Sequence, residues 1–504
     1  MCLSVDSTAV EHDVSVPTLT VAATGAGCLR SLARAVAVAA PGDVVAVRAG
    51  HYRESLTLRR DLSIVAVDGP GTVTLEADGG AAVLVGGGRV LLSGLRITGV
   101  HGDFPLVQVA GGELSLRACA VEADGVAAVH VRAGRLLVDG GRVANRSGAG
   151  TVFEAGAGRM QGVTIADVGT TAVVVTAPDA VGLVGCTVTA GAGFGLLVAG
   201  SGRVTLESCT VEGTAAGQGA VPGGDGRPAV LLRDEAAADL SDTRVTGGSD
   251  GLQLAGSSRA TLVRSTVAAQ SGHGLVVEDE TSISLDGCTV EGQDGHGLLA
   301  AGRSGAVVRA SQVRRTTAAA LAVAGSATLE VADTWLEDSP EVGLLADEDG
   351  GVRADRVRVA RCLTGVLLAG GGTARLGSVR VDGSETGVHV GGGSVVIQDL
   401  TVAGGGRVGL LVAAGAAVEV DGGHLAGGDA GVVVGEGGRA TVRGLHVQAS
   451  RRVGVLAEAQ AELHLERCRI EGTGGPGVRL GRDATARLVD CEVVENQDPG
   501  VTQP

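Results

Sequence analysis

Asp250, His273 and His296 occupy one place in three successive segments, "DGLQL", "HGLVV" and "HGLLA", 23 residues apart. If those segments stack as in-register strands, the three side chains line up ~5 Å apart. A carboxylate beside two imidazoles is equipped for proton transfer and, less well, for holding a metal. Asp294, two residues before His296, adds a second carboxylate. The segment "TAAGQGAVPGGDGRP", residues 214–228, enters at the same corner just upstream, where a loop of that composition would border a cleft. The plainer reading, which weighs more, is that a Gly-x-Gly corner accepts any small polar residue and that His stands there twice.

What would position these residues is a repeat. The residue before each short hydrophobic triplet recurs at Gly195, Ala229, Gly251, Gly274, Gly297, Ala320, Gly343, Gly365, Gly387, Gly409, Gly431, Gly454 and Gly477, at intervals of 22 or 23 apart from a 34-residue step after Gly195. That step is accounted for by the insertion. Each unit holds a triplet, a polar corner, an alternating segment, a second corner and a Cys/Ser/Thr-x-Val segment. Three short strands cannot bury a face alone, so the units must stack. At ~4.8 Å per rung the result is a rod on the order of 85 Å long.

Composition agrees. The 504 residues include 86 glycines but only Tyr52, Trp335, Phe104, Phe153 and Phe194 as aromatics, so a core must come from Val, Leu and Ala in short runs. The net charge of -16, with 40 basic residues that are all Arg, argues against a phosphate-tracking surface and hence against nucleic acid as a partner. Arg without Lys is also what a GC-rich coding bias produces. The N-terminal residues show no basic-then-apolar leader, and no apolar run reaches the roughly 18 residues of a membrane helix, so the expected location is the cytoplasm and no membrane contact is expected. Nine cysteines lack zinc spacing, and Cys119, Cys186, Cys209, Cys288, Cys468 and Cys491 each stand two residues before a Val or Ile. They read as stacked buried thiols rather than disulfides. No cofactor and no metal is expected.

Three regions follow. Residues 1–20 read as a tail, 21–80 as an N-terminal cap with a helix over Cys28–Ala40 and the first rungs, and 81–504 as the repeats. The stretch "LRSLARAVAVAAPGDVVAVRAGHYRESLTLRRDLSIVA" puts an amphipathic helix before P-G-D, a strand and G-x-Y-x-E. Together with the 22-residue rungs, this resembles the right-handed parallel β-helix proteins of the pectin-lyase-like superfamily, with PbH1-type repeats, in an actinobacterial form. The resemblance implies an all-β, single-stranded parallel β-helix of about 18 to 20 rungs closed by the cap helix. It does not fix an activity, since the superfamily holds lyases, hydrolases, esterases, epimerases and non-enzymatic scaffolds. The "GHG" corner is similar to one polygalacturonase motif, but that family's paired aspartates and Arg-x-Lys element are missing.

In each triplet the first and third residues face inward and the middle one outward. The outward column of the first strand is nevertheless apolar at Leu197, Leu231, Val276, Leu299, Leu345, Leu367, Leu411, Val433 and Leu456, whereas those of the other two strands carry mainly Thr, Ser, Arg, Asp, Glu, Gln and His, with Val307, Val396 and Trp335 among them. Two functions follow. The preferred one is a non-catalytic intracellular scaffold that docks a protein partner, or a second copy, on this face. The alternative is a carbohydrate-active lyase or hydrolase acting through Asp250, His273, His296 and Asp294.

Overall fold

The structure, a computed structural model, describes residues 18–23, 28–214 and 226–502. Of the insertion at 214–228, residues 215–225 therefore lie outside it, as does most of the tail 1–20. Alternation of apolar and polar residues over segments of three to five places the chain in short strands, and 54 of them join in one continuous sheet system. A representative rung consists of Leu252–Leu254, Arg259–Val263 and Thr266–Ala268. Each strand pairs in parallel with its equivalent one rung on, Leu252 with Leu275, Ala260 with Ile283 and Val267 with Val290. The molecule is a parallel β-solenoid of about 20 turns with three long sheets, here called first, second and third in the order a rung visits them.

The inward residues of all three strands, such as Leu252, Leu254, Leu262 and Val267, are buried and form one core along the whole rod. Because the strand period is 2, keeping the rung length fixed keeps every apolar side chain on the same side. That is why the 22- and 23-residue spacing is maintained. Between the second and third strands the chain bends at a residue with positive φ, as at Asp242 (49°), Arg264 (47°), Ala310 (49°) and Asp333 (51°). The bend turns the next backbone N–H away from the ladder. The Cys/Ser/Thr column then supplies its acceptor: Cys186 N donates to Cys209 Sγ (3.4 Å), Cys209 N to Thr243 Oγ1 (3.3 Å), Thr243 N to Ser265 Oγ (3.2 Å) and Cys288 N to Ser311 Oγ (3.0 Å). These buried side chains therefore satisfy donors that would otherwise be orphaned. The eight described cysteines are all free.

The N-terminal end differs from expectation in two details. The helix is Leu32–Val38 rather than Cys28–Ala40, because Leu29 forms a bridge with Val21 and Ser31 is the N-cap, its hydroxyl accepting from Arg34 N. Thr18–Val21 is a strand of the solenoid, paired with Val44–Val47, so the ladder starts before the helix and not after it. The P-G-D and G-x-Y-x-E residues hold this cap together. Asp43 Oδ2 accepts from Ala40 N at 2.7 Å, and Tyr52, 3% exposed, donates to Arg48 O at 3.0 Å. Glu54 accepts from Leu32 N, Ala33 N and the Ser31 hydroxyl at 3.1, 2.7 and 2.8 Å. Glu54 thus puts a carboxylate on the free N–H groups of the helix's first turn, where negative charge is favoured.

Candidate functional site: a corner row and an outward ladder

The corner entering the first sheet is tight. A Cβ on Gly274 would lie 2.5 Å from the Gly297 carbonyl oxygen and 2.8 Å from Val290 Cγ1. The corner therefore takes Gly, or at most Ala as at 229 and 320, and the residue before it, at 250, 273 or 296, turns outward. The structure does bring Asp250, His273 and His296 into one row. The two imidazoles stack with centroids 5.2 Å apart and planes 14° apart.

The row is joined through the backbone. Asp250 Oδ1 accepts from His273 N (2.7 Å), His273 Nδ1 from His296 N (2.9 Å) and His296 Nδ1 from Ala319 N (3.1 Å). A ring nitrogen that accepts an N–H must be unprotonated, so both imidazoles carry their proton on Nε2 in this arrangement. Burial, followed by the neighbouring His273, pushes the His296 pKa below its ordinary value. The basic nitrogen that a general base would use is thereby committed to holding one rung to the next. Asp294 does not join the row; its side chain is exposed and makes no hydrogen bond among the described residues. Among the described residues no group of three or more His, Cys, Asp or Glu is arranged to hold a metal ion.

The acidic clusters that follow the first strand are also structural. Asp234 Oδ2 accepts from Gly200 N, Asp279 Oδ2 from Gly256 N and Glu348 Oε2 from Gly325 N, at 2.9, 2.8 and 2.7 Å. Each carboxylate caps the turn one rung below.

The outward column of the first sheet is a continuous in-register ladder. Leu197 pairs with Leu231, Val276 with Leu299, Leu345 with Leu367, Leu411 with Val433 and Val433 with Leu456. Gln253, Ala322 and His389 complete it between them. These side chains are half-buried rather than fully exposed, and Val276 is only 5% exposed. Each lies between two neighbours roughly 4.8 Å away, which hide most of its flanks. The apolar strip that remains is therefore smaller than the sequence suggested.

The third sheet's outward ladder is unlike it. Trp335, 53% exposed, is followed in register by Arg358 and Arg380. The Arg358 guanidinium lies 5.7 Å from the Trp335 ring centroid, within cation–π range.

A model of the right-handed β-helix region matches residues 80–226, 223–357 and 364–503. The chain belongs to this right-handed β-helix family. Among solved structures, this β-helix is similar to a periplasmic alginate epimerase (TM-score 0.37, 10% identity, 68% of this chain and 77% of that one). It is also similar to a pectate lyase (TM-score 0.32, 10% identity, 68% and 79%) and to pectin methylesterase from carrot (TM-score 0.27, 14% identity, 55% and 84%). At these values the likeness says nothing about chemistry. No curated protein is significantly similar in sequence. No helix among the described residues is long and apolar enough to cross a membrane.

Proposed function

We propose that this β-helix is a non-catalytic scaffold, working in the cytoplasm, that docks a protein through the outward column of its first sheet. The observation that carries the reading is the contrast between columns. Leu299, Ala322, Leu345, Leu367 and Leu411 give an almost uniformly apolar first-sheet column, whereas the second-sheet column over the same stretch is mixed, running Val307, Glu330, Arg353, Arg375, Val396 and Glu419, although the backbone environment is the same. Aliphatic side chains on a flat, regular ladder give a partner area without directional demands, and a straight rod presents that area over many rungs. The corner row supports the same reading from the other side, because its ring acceptors are engaged by Ala319 N and His296 N. The alternative, a carbohydrate-active enzyme working through Asp250, His273, His296 and Asp294, needs a free base there.

The test is the combined variant Leu299→Glu, Leu345→Glu and Leu367→Glu, examined by sedimentation for self-association and by affinity capture from the source cytosol for a partner. The expected result is loss of association with an unchanged thermal unfolding profile. Unchanged mass and unchanged capture would contradict the proposal, and turnover of an acidic polysaccharide that disappears in His296→Gln would establish the enzymatic alternative.

A further inference from the structure

Two pairs of arginines lie on the same two rungs, one on each of two neighbouring sheets. In the third sheet Arg358 and Arg380 are register partners, and Asp382 binds both, at 3.0 Å from Arg358 Nη2 and 2.9 Å from Arg380 Nε. In the second sheet Arg353 and Arg375 are register partners too, both exposed, and no carboxylate among the described residues lies within 4.0 Å of either. The nearest acidic side chains are otherwise engaged. Glu330, the register partner of Arg353 on the preceding rung, reaches Arg309 at 3.6 Å, and Asp355 binds Arg356. Like charges directly opposite each other on a sheet are unfavourable. The fold answers that problem with Asp382 in one sheet and leaves it open in the other.

The space over the open pair is shaped to take a ligand. A groove of 390 Å³ runs over Arg353, Asp355, Arg375, Gly377, Val396 and Gln398, with the Asp355 carboxylate turned to Arg356. A second groove of 330 Å³ runs over the same two arginines and past Glu330, Thr373 and Ser394, with the Glu330 carboxylate 3.6 Å from Arg309. Gly377 lies beside the Asp355 carboxylate, whose Oδ1 a Cβ there would approach to 3.0 Å, and Thr373 and Ser394 face the same side as the two arginines.

We propose that Arg353 and Arg375 form a binding site for a tetrahedral dianion of the phosphate class, inorganic phosphate or a small phosphate monoester. Two arginines that project from adjacent strands roughly 4.8 Å apart can each turn a guanidinium fork onto oxygens of one such group. A dianion matches the two positive charges, whereas a single carboxylate neutralises only one. Thr373 and Ser394 supply hydroxyl donors to the remaining oxygens. The site is separate from the first-sheet column and does not depend on the docking function proposed above.

The test is calorimetric titration of the full chain with inorganic phosphate alone and with glucose 6-phosphate alone, using glucose and acetate as controls. The wild type is expected to bind at least one phosphate probe and neither control, and binding by the ester only would assign the site to monoesters. Arg375→Gln should weaken binding by on the order of tenfold, as loss of a charge-assisted contact does. Arg353→Gln combined with Arg375→Gln should abolish binding, and Arg358→Gln, in the neutralised pair, should leave it unchanged. Circular dichroism checks that each variant is folded. No binding of either probe up to about 50 mM, where even a single weak anion contact registers, would overturn the proposal. So would equal binding by the double variant or equal binding of acetate.

Discussion

The first and third sheets are both built from strands of three to five residues, stacked with the same rung spacing over the same core, yet their outward columns have opposite chemistry. One runs Val276, Leu299, Ala322, Leu345, Leu367; the other runs Gln312, Trp335, Arg358, Arg380, Thr401. Since the fold makes the same demand on both, a pleated ladder with one face in the core, the difference is not imposed by folding. The docking function proposed above assigns that difference to contact at the first sheet.

The comparison can be broken most severely at the corners. A Cβ on Gly274, at the start of a first-sheet strand, would collide at 2.5 Å, whereas a Cβ on Gly351, at the start of a second-sheet strand, would make ordinary contacts with Thr328 Cγ2 at 3.6 Å, Ala327 O at 3.8 Å and Thr373 Oγ1 at 4.0 Å. Gly274→Val is expected to destabilise the fold by about 3 kcal/mol or more, through overpacking against Val290 and the Gly297 carbonyl. Gly351→Ala should change it by less than about 0.5 kcal/mol. Chemical denaturation of the two variants reads both, and equal losses would mean that the first-sheet corner is not specially constrained.

A smaller effect is expected in the charged column. Asp382→Asn leaves Arg358 and Arg380 stacked without their shared carboxylate. Both arginines are about half-exposed, so solvent screening keeps the loss well below that of Gly274→Val. The loss should shrink as salt is raised, and a salt-independent loss would point to packing instead of charge.

The smallest effect concerns the corner row. Because burial holds the His296 pKa below its unfolded value of about 6.5, the folded state favours the neutral ring. Its contribution is complete above the unfolded pKa and is lost as pH falls through the lower folded one. Wild type should therefore lose more stability between pH 7.5 and 5.5 than His296→Gln does, the other histidines being common to both. Identical pH profiles would show that the row is not held by a neutral imidazole.

Much of the architecture was legible because stacking fixes rung length, and a fixed rung length leaves a period in the sequence. The P-G-D and G-x-Y-x-E residues were legible as a pattern, and the structure supplies their reason in Asp43, Tyr52 and Glu54. The helix limits were not, since the apolar spacing of Leu29 continues that of the helix although its backbone is paired with Thr20 and Ala22. The Cys/Ser/Thr column read as small buried side chains, and its work as an acceptor for N–H groups turned aside by a positive-φ residue has no signature in composition. For the same reason the row at Asp250, His273 and His296 could be placed but not interpreted. Proximity along the ladder followed from the 23-residue spacing, while the use of Nδ1 by the next rung's backbone depends on where a corner amide points. Partial burial of the Leu299 column was likewise hidden, because it arises from neighbours that stack only once the rungs are in register.

The account rests on the first sheet being the surface that is touched. A photoactivatable side chain placed at Leu345, in the first-sheet column, and separately at Val307, in the second-sheet column, tests this in a lysate of the source cells without altering the core. Cross-linked protein adducts from position 345 and none from position 307 are the predicted result. Equal adducts from both positions, or none from position 345, would contradict it.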